Sequence, residues 1–135
     1  MINIVVITHG NLAGELVATA SLIVGPQPDV TALSLAGNES LASLTARVGG
    51  IVSRLGPDDG ALFLTDMLGG TPCNAALSFA SSPQVEIVTG VNLYMLISAC
   101  TNRCAGGLHE LAQKVIDDGR KNVADAKAIF LKRVP

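Results

Sequence analysis

The sequence predicts an α/β fold, a doubly wound layer built on a mostly parallel sheet. Three observations lead there. Short apolar runs alternate with segments of helical periodicity along all 135 residues, which is the pattern of successive βαβ units. Hydrophobic residues make up 49% of the chain but aromatics only 3%, with no tryptophan, so the core must be Val, Leu, Ile and Ala, a composition suited to parallel strands buried on both faces. Right-handed crossovers then place helices on both sides of the sheet. The length fits one domain, residues 1–135, with no linker and no repeat beyond the unit itself.

INIVVI, residues 2–7, reads as a buried strand, and residues 11–24 as a helix with Leu12, Leu16, Ala20 and Ile23 along one stripe. Gly25-Pro26 stops that helix. DVTALSL, 29–35, alternates as a half-buried strand does. Asn38 and Ser40 are candidate caps for a helix reaching about Leu55, with Leu41, Leu44, Val48, Ile51 and Leu55 facing inward. Gly56-Pro57-Asp58-Asp59-Gly60 is a turn, and ALFLTD, 61–66, is the third strand. A helix from Gly70 or Thr71 through Ala80 follows, broken by Ser81-Ser82-Pro83. QVEIVTG supplies a short fourth strand. Asn92 to about Asn102 and residues 108–119 read as helices separated by Gly106-Gly107, and AIFLKRV, 128–134, reads as a last strand.

Composition excludes several functions. Nine basic and eleven acidic residues give a net charge of -2 without a Lys/Arg cluster, so nucleic acid is not an expected partner. Cys100 and Cys104 lie four apart on a helical segment, but no matching His or Cys ligands accompany them, so no metal is expected. No basic, apolar and small-residue succession marks a signal peptide, and no apolar run reaches the ~18 residues a membrane span needs. The chain reads as cytoplasmic.

Ligands of such a sheet gather outside the carboxyl ends of its strands. The first strand ends at Thr8-His9-Gly10, the third at Thr65-Asp66 followed by MLGGTPCN, and the fourth at Thr89-Gly90-Val91-Asn92. Neither a G-x-G-x-x-G nor a G-x-x-x-x-G-K-[ST] nor a G-x-S-x-G element is present. If the first and third strands are neighbours, His9 and Asp66 share one rim. A carboxylate bonded to one imidazole nitrogen fixes the tautomer and leaves the other nitrogen as a nucleophile or base. Gly69-Gly70-Thr71-Pro72 opens a helix without bulky side chains, which suits an anion. Histidine, carboxylate and anion cradle together point to phosphoryl chemistry on the ring. Taken singly, each has a plainer reading: a packed histidine, a helix cap, a turn. Cys73, in the first turn of the same helix, is either a thiol of lowered pKa or a buried filler, and the filler is the better reading. His109 has no comparable setting and reads as a surface residue.

THG after the first strand, LTDMLGGTPCNAA after the third, VTGVNLYML after the fourth and DDGRKNV before the last together resemble the IIA component of the mannose family of bacterial sugar phosphotransferase systems. The resemblance runs in order over essentially the whole chain. It implies a phosphotransferase component, with His9 phosphorylated by HPr and passing the group to a IIB component for sugar uptake and phosphorylation. Asp66 orients the ring; Thr65, Gly69, Gly70 and Thr71 contact phosphoryl oxygens; Gly10, Leu68, Asn74 and Asn92 shape the rim and partner contact. It implies no cofactor and no metal, and membrane contact only indirectly, through IIC and IID components. The fold implied is a doubly wound sheet of four parallel strands with helices on both faces. A fifth, C-terminal antiparallel strand, AIFLKRV, is exchanged across a homodimer. Leu68 stands where family members often carry an aromatic or other large residue, and Tyr94 where they often carry a proline. Two further roles use the same chemistry: a regulatory module whose His9 phosphorylation state controls a partner, and a dihydroxyacetone kinase phosphotransfer subunit, against which GGTPCN argues.

Overall fold

The structure is a computed structural model and describes residues 1–133. In chain order the elements are β1 (Ile2–His9), α1 (Leu12–Val24), β2 (Val30–Leu35), α2 (Leu41–Ser53), β3 (Gly60–Thr65), α3 (Thr71–Leu77), β4 (Val85–Val88), α4 (Leu93–Asn102), α5 (Leu108–Lys121) and α6 (Ala126–Arg133). The strands form one sheet in the order β2-β1-β3-β4, every neighbouring pair parallel. From β1 the chain winds outward to β2, then returns to place β3 on the other side of β1. The carboxyl ends of β1 and β3 therefore flank the switch point, where α/β sheets bind ligands.

Alternation along the strands divides the core into two layers. Ile4, Val6, Leu62 and Leu64 face Ala13 and Ala20 of α1, Met95, Leu96 and Ala99 of α4, and Leu111, Ala112 and Val115 of α5. Val5, Ile7, Ala61, Phe63 and Val85 face Leu44 and Val48 of α2 and Ala75 and Ala76 of α3. Every residue of β3 is buried. Full burial of a side chain such as Phe63 or Leu64 contributes about 1.5–3 kcal/mol, so the two central strands are the most firmly held part of the molecule.

Several expectations are corrected. The inward stripe of α1 is Ala13, Leu16, Val17, Ala20 and Val24, whereas Leu12 and Ile23 are exposed. The small Ala13 and Ala20 let α1 lie close on the sheet and define the stripe better than the larger apolar residues do. In α2, Leu41 is exposed while Leu44 and Val48 are buried. Ser40 is the cap, its Oγ accepting from the Ser43 amide at 3.0 Å. α3 ends at Leu77, with residues 78–80 in turns.

The C-terminal strand is the largest correction. Residues 126–133 are helical, and Val134 lies outside the described residues. Ala, Lys, Leu and Arg are good helix formers. The Asp125 carboxylate also accepts the Ala128 amide at 3.0 Å, capping the first turn. A helix satisfies its own backbone groups, whereas a strand needs an edge to pair with. No residue of α6 is buried, and Ile129, Phe130 and Leu131 are exposed.

At the amino-terminal end of the sheet Arg103 is 6% exposed. Its guanidinium donates to the carbonyls of Ile2, Pro28 and Asp29 and to Gln27 Oε1. These bonds pin the end of α4 to the start of β1 and to the loop before β2.

Candidate functional site

His9 is the last residue of β1 and Asp66 the first after β3. Because the strands pair with Ile7 opposite Thr65, the two residues meet at the switch point. Asp66 Oδ2 accepts two hydrogen bonds from the same residue: His9 Nδ1 lies at 2.8 Å and the His9 main-chain amide donates at 3.1 Å. With an ionised Asp66 as acceptor, Nδ1 donates this bond, and in the neutral form of the ring the lone pair is on Nε2. The His9 side chain is 47% exposed and that of Asp66 12%. Burial works against ionisation of Asp66. The hydrogen bonds from the His9 ring and amide, with the charge on the ring, outweigh it and hold the carboxyl below its ordinary value.

The turn after Asp66 packs against the ring. A Cβ on Gly70 would stand 2.9 Å from His9 Cε1 and 3.6 Å from Nε2, so the Cε1–Nε2 edge of the imidazole borders the space that a side chain at Gly70 would fill. Gly69 has φ +83, a left-handed conformation that favours glycine. The Gly70 amide bonds the Met67 carbonyl at 3.2 Å and closes this turn. The first intrahelical bond of α3 runs from the Asn74 amide to Gly70 at 2.9 Å, so the Thr71 and Cys73 amides precede the helical ladder. Pro72 occupies the first turn, as its missing donor permits.

Other expected residues fall into different roles. Gly10, at φ +55, turns the chain out of β1. Asn74 is exposed and its amide reaches Gly69 O at 3.4 Å. Asn92 caps α4, its Oδ1 accepting the Met95 amide at 2.9 Å. Thr65 is fully buried beneath the rim, and its hydroxyl has no hydrogen-bond partner. Leu68 is 78% exposed, and Leu12, Met67 and Tyr94 are also exposed at this end of the sheet. Cys73 and Cys100 are buried and Cys104 exposed, all as free thiols. His109 is exposed and pairs with Glu86 at 2.5 Å, a partner the sequence did not reveal.

Thr8 was underrated by its sequence context. Its side chain is fully buried. Oγ1 accepts the Ala13 amide at 2.7 Å and donates to the His9 carbonyl at 3.1 Å. One hydroxyl therefore caps α1 and holds the backbone of His9. A threonine five residues before the amide it caps is the signal that was available.

Comparison with known proteins places the chain in a family. The family model EIIA-man, described as PTS system fructose IIA component, matches residues 3–116. The mannose-specific EIIAB component of Escherichia coli K12 is 32% identical over 129 residues, covering 94% of this chain; the chain spans only 40% of that protein's length. The fructose-specific EIIA component of Bacillus subtilis is 29% identical over 76% of this chain and 71% of its own. A crystal structure of phosphotransferase system component EIIA from Streptococcus agalactiae superposes with a TM-score of 0.87 at 26% identity, covering 95% of this chain and 99% of the other. The mannose/sorbose specific IIA subunit from Enterococcus faecalis gives 0.83 at 31% identity, covering 91% and 92%. Among the described residues no helix is long and apolar enough to cross a membrane.

Proposed function

The chain belongs to the EIIA-man family of phosphotransferase-system IIA components, and on that premise we propose that it is a cytoplasmic phosphohistidine carrier. Nε2 of His9 accepts a phosphoryl group from the phosphohistidine of HPr and passes it to a IIB component during sugar uptake and phosphorylation. The observation that supports this most directly is the His9–Asp66 pair: Nδ1 held at 2.8 Å, with Nε2 beside the space left free by Gly70.

The step is an in-line displacement. The Nε2 lone pair forms the new N–P bond while the bond to the donor imidazole breaks and its electron pair returns to the donor nitrogen. Such transition states are loose, and catalysis is mostly positioning and charge stabilisation. Asp66 keeps the proton on Nδ1 and balances the positive charge that develops on the ring. The amides of Thr71 and Cys73 and the Thr71 hydroxyl receive the phosphoryl oxygens, and the bare Gly69-Gly70 backbone gives them room. Thr65 supports this floor from below. Exposed Leu12, Met67, Leu68 and Tyr94 offer apolar contact to the incoming protein. The protein acts as a homodimer, a reading supported by the exposed Val123, Ile129, Phe130 and Leu131; light scattering on the purified chain tests it.

The deciding experiment is incubation with phosphoenolpyruvate, enzyme I and HPr, followed by intact mass. One acid-labile phosphoryl group, absent in His9→Ala, is the expected result. No phosphorylation under conditions that load HPr overturns the reading.

A further inference from the structure

Three buried side-chain oxygens among the described residues have no hydrogen-bond partner: Thr65 Oγ1, Asp66 Oδ1 and Thr89 Oγ1. An orphaned buried polar group costs about 1–3 kcal/mol, so three at one place call for a physical account. They are close neighbours in the fold. Thr65 is the last residue of β3 and Asp66 follows it. Thr89 stands one step beyond Val88, the ladder partner of Leu64, and so lies opposite Thr65. Ala61 and Phe63 on β3, and Val85 and Ile87 on β4, belong to the layer under α2 and α3. Thr65 and Thr89 continue these two rows to the rim. The chain then folds back over the corner: Gly90 turns at φ +77 and the Val91 amide bonds the Thr65 carbonyl at 2.9 Å.

We propose that this corner binds one buried water molecule through Thr65 Oγ1, Thr89 Oγ1 and Asp66 Oδ1, making Thr65 and Thr89 positioning residues for Asp66. The donors and acceptors balance. An ionised carboxylate oxygen only accepts, whereas each hydroxyl both donates and accepts. One hydroxyl donates to the water, and the water donates to Asp66 Oδ1 and to the other hydroxyl. Three polar partners are the usual complement of a buried water. Asp66 is then held on both oxygens, by His9 on Oδ2 and by the water on Oδ1, so its carboxylate plane cannot rotate away from the ring. The consequence for transfer rests on the reading of His9 as the phosphoryl acceptor; the water site itself does not.

The test has a structural and a functional arm. A crystal structure at high resolution is expected to place solvent density within about 3.2 Å of all three oxygens. A corner in which the hydroxyls bond only main-chain carbonyls, or one holding a metal ion at shorter distances, overturns the proposal. For function, exchange of the His9 Nδ1 proton with solvent is followed by NMR in wild type, Thr65→Val, Thr65→Ser and Thr89→Val. Without the water the carboxylate is free to turn from the ring, so the Nδ1 proton in the valine variants is expected to exchange about fivefold faster, the worth of one hydrogen bond. Phosphoryl transfer in them slows about tenfold through looser positioning, and Thr65→Ser restores both. Identical exchange in all four proteins refutes the positioning role. If Thr65→Val does not fold, Thr89→Val decides the matter. If the wild type takes no phosphoryl group, the carrier reading fails while the density and the exchange rates still judge the water site.

Discussion

Gly70→Ala separates the geometry of the site from the stability of the fold. Gly70 has φ -78 and ψ 161, a conformation any residue adopts, so alanine brings no backbone strain. What it brings is a methyl group 2.9 Å from His9 Cε1 and 3.3 Å from the Met67 carbonyl oxygen. Carbon atoms rest at about 3.5–4.0 Å, so something must move by roughly 0.6 Å or more. The Met67 carbonyl is tied into the turn by the Gly70 amide. The half-exposed imidazole is the softer neighbour and swings outward. A displacement of that size stretches the 2.8 Å bond to Asp66 to about 3.4 Å, past a useful hydrogen bond. Because the ring moves into solvent, unfolding free energy is expected to fall by no more than about 1 kcal/mol, the low end for overpacking. With His9 as the acceptor proposed above, transfer depends on the ring position to fractions of an ångström, and a misplacement near 1 Å costs about 100-fold. Rapid-quench measurement of phosphoryl uptake from phospho-HPr, beside urea denaturation of the same preparations, gives both numbers. Gly69→Ala is the contrast: no atom lies within 4 Å of its Cβ, but its φ is +83, so it loses about 1 kcal/mol of stability to backbone strain and keeps more of its rate. A Gly70→Ala protein that transfers within twofold of wild type refutes the reasoning.

Asp66→Asn tests the linkage between the pair and pH. The folded carboxyl titrates below its ordinary value, so its contribution to stability is present above the unfolded value near about pH 4 and is lost as pH falls through the folded one. The gap between wild type and Asp66→Asn in urea denaturation is expected at neutral pH and should close in acid; a constant gap counts against the stabilising hydrogen bonds to the carboxylate. His109 has the opposite sign: its hydrogen bond to Glu86 and that carboxylate's charge raise its pKa. The Tm difference between wild type and His109→Ala should therefore be largest below pH 6 and vanish as pH rises through the raised value. Arg103→Met takes the guanidinium from four acceptors, of which the Asp29 carbonyl keeps the Ile4 amide. It is expected to cost roughly 2–4 kcal/mol while phosphoryl transfer per folded molecule stays unchanged, because Arg103 lies at the opposite end of the sheet.

Strand ends were the most legible feature of the sequence. INIVVI running into Thr-His-Gly, and ALFLTD into a glycine pair, mark where buried backbone gives way to a rim, and the His9–Asp66 meeting follows once β1 and β3 are neighbours. The contacts that refine the site were less visible. The Thr8 hydroxyl, the second bond from the His9 amide and the close approach of Gly70 all depend on how a turn closes, which periodicity does not encode. Asn92, expected at the rim from its place after a strand, also caps α4 through its Oδ1, a use of asparagine that the rim reading does not bring out. AIFLKRV misled because seven residues of mixed apolar and basic character satisfy both a strand and a helix. The deciding influences were the Asp125 cap and the pairing of backbone groups, and neither is written in the segment itself.

The two hydrogen bonds from His9 to one oxygen of Asp66 bear on how briefly partners need to meet. A free imidazole explores several rotamers and both tautomers, and any protein docking onto it must first select one of each. Here the fold has made that selection, through a main-chain contact and a ring contact that lock together. On the carrier reading proposed above, an arriving protein would find the nucleophile already aimed, so none of its binding energy would go into ordering the ring. The encounter could then stay small and short-lived without losing speed, as a relay requires: a carrier that held each partner tightly would spend its time letting go.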